Sequence, residues 1–97
     1  FLFFVDSQDN PLTYVASERF RGALAVGNVR HLSGKGYFVT DVYAIIAKVY
    51  GILYSDVKQT EGGEGIWQAM MNHSDKLGLE VFIPSEENDC RWMCRVK

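Results

Sequence analysis

Long apolar runs are the first thing this chain lacks. None approaches the roughly 20 residues that cross a bilayer as a helix, although 47% of the 97 residues are hydrophobic. An excess of positive charge is also missing. Lys and Arg number 10 against 12 Asp and Glu, a formal net charge of −2. Non-specific nucleic-acid binding rests on dense positive charge, so no nucleic-acid partner is expected; it would need Arg19, Arg21, Arg30 and Lys35 to converge. Cysteine is scarce. Cys90 and Cys94 would stand roughly 13 Å apart on one strand, too far for a disulfide. Neither has His31 or His73 at zinc-ligand spacing. Two free, half-buried thiols in a reducing compartment are the expectation. Internal repeats, low-complexity tracts and linkers are absent too, so the expectation is a single domain spanning 1–97, cytoplasmic and without a membrane partner.

The opening Phe-Leu-Phe-Phe-Val reads as a strand and not as a signal peptide. Asp6 breaks the run, and no small-residue cleavage site follows. It looks like a strand entered part-way through a domain, with further residues expected before Phe1.

What is present is organised around His31 to Gly51. This stretch reads as a strand end, a Gly34-Lys35-Gly36 loop and an amphipathic helix. Phe38, Val42, Ile45, Ile46 and Val49 fall at helical spacing and predict a core-facing stripe. Val39, Tyr43 and Tyr50 widen it, and Thr40, Ala44 and Lys48 are expected on the other side. Gly51 falls where a left-handed helix C-cap is wanted.

The loop has a chemical use. First-turn amides of a helix have no intrahelical partner, and the helix dipole adds positive charge there. Glycines without Cβ let an anion approach the backbone, and Lys35 adds a full charge. The stretch suits a phosphate or pyrophosphate; a plain strand-to-helix turn uses glycines in the same way. Two nucleotide motifs are excluded. A P-loop needs Gly where Val29 stands and Ser or Thr where Gly36 stands. A dinucleotide fingerprint needs a third Gly at Val39.

Around this centre the chain reads as β-β-β-α-β-α-β-β. Residues 1–5 and Leu12–Phe20 form a hairpin about the Asp6–Pro11 turn. Ala23–Arg30 is a third strand, where Gly27 predicts a bulge or a close backbone approach. Ile52–Val57 follows the first helix. A strand, helix and strand so joined form a crossover, which predicts a parallel pair. A second helix from about Gly62 to Asp75, with Thr60 as a candidate cap, carries Ile66, Trp67, Met70 and Met71. Leu79–Ile83, an acidic turn at Pro84–Asp89 and Cys90–Val96 close the chain. The fold class is α/β (α+β), with a mixed sheet.

This order, with His31-Leu32-Ser33-Gly34-Lys35-Gly36 ahead of the first helix, resembles the C-terminal two-thirds of the GNAT fold, the Gcn5-related N-acetyltransferases. That family carries Arg/Gln-x-x-Gly-x-Gly/Ala here, and His31 replaces the first residue. Tyr54-Ser55-Asp56, Gln59-Thr60, Gly62-Gly63 and Trp67 resemble a segment of small acetyltransferase-like proteins of bacteriophages and bacteria. The resemblance covers about residues 1–83, and the family's first strand and helices do not appear. It implies acetyl-CoA as co-substrate. The pyrophosphate would rest on the amides of Leu32, Ser33, Gly34, Lys35, Gly36 and Tyr37. Pantetheine would run along Asn28, Val29 and Arg30, in a gap where this strand and Leu53–Val57 splay. An unidentified amine would accept the acyl group.

The resemblance thins at the catalytic positions. The family's Glu base has no counterpart, since Ala23–His31 holds no carboxylate. Its Tyr general acid falls near Trp67 or Ser74, depending on the end from which it is counted. Neither is a good acid: an indole N–H does not titrate usefully, and an unaided serine hydroxyl is far too weak. Tyr54 is the alternative, and Asp41 or Asp56 could orient a water. The ordinary roles of these residues are core for Trp67, helix end for Ser74 and capping for Asp56. The rival reading is therefore a catalytically inactive fold serving as an interaction or virion-structural module, as a homo- or hetero-oligomer.

Overall fold

The computed structural model describes residues 2–5, 8, 11–31, 39–57 and 61–97, with side chains at Gln8, 13–27, 39–57 and 61–97. The strands are β1 Leu2–Val5, β2 Pro11–Phe20, β3 Ala23–His31, β4 Ile52–Tyr54, β5 Leu79–Phe82 and β6 Met93–Val96; the helices are α1 Val39–Tyr50, α2 Glu61–Asn72 and α3 Ser74–Leu77. Together they form a small α+β domain with a mixed sheet in the order β1-β2-β3-β4-β6-β5. All neighbours are antiparallel except β3 and β4, the parallel pair that the crossover through α1 requires.

The hairpin of β2 and β3 follows from turn chemistry. Between β2 and β3, Arg21 and Gly22 both take positive φ (51° and 77°). This is the type I′ geometry that matches the twist of the flanking strands. Further along, Val15 pairs with Val29 but Ser17 with Val26. One residue of β2 thus faces two of β3, a bulge at Gly27-Asn28, where the lone internal glycine predicts one.

The core lies on one face of the sheet. Val15, Val26 and Leu53 pack there with Val42, Tyr43, Ile46 and Ala47 of α1 and Trp67 and Met70 of α2. The Tyr43 and Trp67 rings meet at 5.5 Å, and Trp67 stacks on Trp92 at 6.3 Å. Gly51 takes φ +88° and closes α1, its N–H donating to the Ala47 carbonyl at 2.6 Å.

Four expectations need correction. Ile45 and Val49 are not core: they are 49% and 70% exposed, whereas Ala44 and Ala47 are buried. A helix apolar on several sides does not fix its own rotation, and here the small alanines let α1 lie close to its neighbours. The second helix does not run unbroken to Asp75. It breaks at His73, so Ser74 opens the one-turn α3. The fourth strand stops at Tyr54, not Val57. Cys90 stands in a turn at φ 60° and not on the last strand; it is exposed, while Cys94 is buried.

Candidate functional site

The parallel pair is short. Leu24 faces Leu53 and Ala25 faces Tyr54, and there the pairing ends. β3 runs on to His31, while the chain after Tyr54 turns away. A cleft of about 240 Å³ lies at this parting, lined among the described residues by Ala16, Ser17, Glu18, Gly27 and Asp56. The bulge at Gly27 therefore stands beside the opening, and two carboxylates border it.

The two acids arrive from different elements. Glu18 is on β2, directly across from Ala25. Its side chain is 66% exposed, and Oε1 lies 3.6 Å from Nη2 of Arg91. Asp56 follows β4, and its Oδ1 accepts the Val57 N–H at 2.7 Å. Arg91 is buried, with its guanidinium 4.3 Å from the Phe20 ring centre. Phe20 in turn meets Tyr54 edge-to-face at 4.8 Å. This cluster sits on the sheet face opposite the helices, since Glu18, Ala25, Tyr54 and Met93 follow one another across the strands.

A second concavity, a groove of about 600 Å³, opens beside the first turn of α1. Thr40 and Asp41 line it with Ala69, His73, Lys76 and Leu77 of the α2–α3 region. Thr40 and Asp41 follow within a few residues of the Gly34-Lys35-Gly36 loop.

The predicted site residues are distributed unevenly over this geometry. Asn28, Val29 and Arg30 are on β3, past the point where β4 leaves it. Leu32, Ser33, Gly34, Lys35, Gly36 and Tyr37 lie outside the described residues. Tyr54 ends β4 at the parting, 7% exposed and packed on Phe20. Trp67 is 1% exposed within the core between Tyr43 and Trp92, which is the ordinary role weighed for it. Ser74 is half-buried at the start of α3. Asp41 lines the groove, not the cleft; Asp56 lines the cleft.

Sequence reasoning missed Glu18 and Arg91. A base sought on β3 itself overlooks its antiparallel neighbour, which presents the same face one strand over. Arg91 gave no local signal; its place depends on the turn before it. No group of three or more His, Cys, Asp and Glu among the described residues could hold a metal ion. No described helix is long and apolar enough to cross a membrane. No family model, curated protein or solved structure matches this chain.

Proposed function

We propose that this chain binds an acyl-CoA thioester at the parting of β3 and β4 and transfers the acyl group to an amine, as a GNAT-like N-acetyltransferase acting on acetyl-CoA. The observation that carries the reading is the two-residue parallel pairing, beyond which a bulged β3, still paired with β2, parts from β4 beside an open cleft. Strand backbone without a sheet partner can hydrogen-bond the amides of an extended ligand, as an added strand would. The groove beside α1 gives the polar half of a long carrier a second place to lie.

In this reading Asn28, Val29 and Arg30 guide the pantetheine arm, and the 32–37 amides take the pyrophosphate. Glu18 and Asp56 are the carboxylates nearest the reacting end. One of them, directly or through water, takes the proton from the attacking ammonium. The amine nitrogen adds to the thioester carbonyl, the C–S bond breaks, and the thiolate leaves with a proton. Tyr54 is the candidate donor of that proton, by its place at the parting.

A second reading has its own support. Ile45, Val49 and Tyr50 are large apolar side chains exposed along α1. Exposed apolar patches mark interaction surfaces. A non-catalytic interaction or virion-structural module would use them.

Thermal unfolding with acetyl-CoA separates the two. A ligand at a hundredfold its Kd adds roughly 2.7 kcal/mol, which raises Tm. No shift at millimolar acetyl-CoA would end the transferase reading. A shift without thioester turnover across a panel of amines would leave a binder that has lost its chemistry.

A further inference from the structure

The end of β4 is not a frayed strand. Antiparallel pairs exchange two backbone hydrogen bonds at every second residue. Along β4 and β6 this rhythm places Ser55 opposite Trp92, and the Ser55 N–H does donate to the Trp92 carbonyl at 2.9 Å. The return bond is diverted. The Trp92 N–H donates to the Ser55 hydroxyl at 2.9 Å, and the Ser55 carbonyl accepts from Arg91 Nη1 at 2.8 Å. The same hydroxyl then donates to the Asp56 carbonyl at 2.9 Å. Residues of β4 face β6 and β3 alternately, so Asp56 is next in line to extend the ladder toward β3. The Asp56 carbonyl, which would carry the β3 ladder further, is held by the Ser55 hydroxyl; the Ser55 carbonyl, which faces β6, is held by Arg91.

Ser55 is fully buried, and its hydroxyl acts once as donor and once as acceptor. Arg91 reaches the other way as well, with Nη2 3.6 Å from Glu18 on β2. Its guanidinium thus spans β3, from the chain after β4 to the far neighbour. Nε is buried without a partner among the described residues. Such a group is costly to bury, so its retention calls for an explanation. Arg91 is delivered by a tight turn in which Asp89 and Cys90 both take positive φ (52° and 60°) and the Arg91 N–H donates to the Asn88 carbonyl at 3.0 Å. Non-glycine residues in that region are strained, and two in succession are rarer still.

From this geometry we infer that Ser55 is a positioning residue that holds the sheet open: its hydroxyl caps the β3-facing carbonyl of Asp56 so that β4 cannot zip onto β3, while Arg91 fixes Ser55 from the β6 side. The inference concerns the cleft itself and holds whatever ligand the cleft takes. It does not depend on acyl transfer.

Amide hydrogen exchange on the ligand-free protein tests it. Ser55→Ala removes the hydroxyl that holds the Asp56 carbonyl. The freed Asp56 carbonyl returns to the β3 ladder. Exchange across 26–30 and 55–57 is expected to slow by about tenfold or more, with Ser55→Thr close to wild type. A role in stability alone would do the opposite and speed exchange throughout the chain. Unchanged or faster exchange at the parting would overturn the inference. Where Ser55→Ala fails to fold, Ser55→Cys, which keeps the volume but is only a weak donor, carries the test.

Discussion

β4 is treated differently along its two edges. Toward β6 it pairs in full, Ile52 with Arg95, Leu53 with Cys94 and Tyr54 with Met93. Toward β3 it pairs at Leu53 and Tyr54 only. The same three residues supply both edges, so intrinsic strand preference cannot account for the difference. What differs is the company. The closed edge is backed by a dry core under α1 and α2. The open edge ends where the Ser55 hydroxyl takes the β3-facing Asp56 carbonyl, with Arg91 holding the Ser55 carbonyl behind it and lying 3.6 Å from Glu18. A sheet can thus be opened at a chosen point by giving its carbonyls better-placed partners.

The closed side should be the harder one to lose. Trp67→Ala removes a fully buried ring shared by Tyr43 and Trp92 and is expected to destabilise by about 3–5 kcal/mol in chemical denaturation. A similar loss can come from pH. Burial pushes the Cys94 thiol up to about 12 from 9.0, and the Tyr43 phenol up to about 12 from 10.0. The unfolded chain releases these protons first, so their contribution is intact below pH 9 and is lost as pH climbs through the folded values. Between pH 9 and 12 the wild type should lose on the order of 4 kcal/mol more than Cys94→Ala, the conversion of about three pKa units. Denaturation midpoints across that range check it.

Smaller effects sharpen the contrast. Trp92 Nε1 donates to Glu64 at 2.9 Å and ties the chain behind Arg91 to α2. Trp92→Phe should cost about 1.5–3 kcal/mol, the range for a hydrogen bond to a charged group, without closing the cleft, as seen by unchanged exchange at 55–57. Cys90→Gly relieves a positive φ and should stabilise by about 1 kcal/mol. Smallest of all is a labelling result: a thiol reagent at neutral pH should modify Cys90 in the native protein and reach Cys94 only after unfolding, given their exposed and buried positions.

Much of the fold was legible because local rules governed it. Gly27 gave the bulge, Gly51 the cap, and the crossover the parallel pair. What was illegible depended on distant contacts. α1 carries apolar residues on more than one side, so nothing within Val39–Tyr50 says that Ala44 turns inward and Ile45 outward; Leu53 and Trp67 decide that. Ser55 reads as an ordinary polar residue until Trp92 and Arg91, 37 and 36 positions away, converge on it. Glu18 was hidden for a related reason: the carboxylate bordering the cleft belongs to the strand beside the one on which a base was sought. The site was half-visible, since glycines announce backbone geometry but charged side chains do not announce their partners.

The central claim is that the parting of β3 and β4 is a ligand site for an acyl thioester. Mapping backbone amide chemical shifts during an acetyl-CoA titration tests it most directly. The account predicts saturable shifts concentrated at Gly27, Asn28 and Asp56, continuing to Thr40 at the start of α1. Absence of saturable shifts at millimolar acetyl-CoA, or shifts confined to the exposed stripe of Ile45, Val49 and Tyr50, would contradict it.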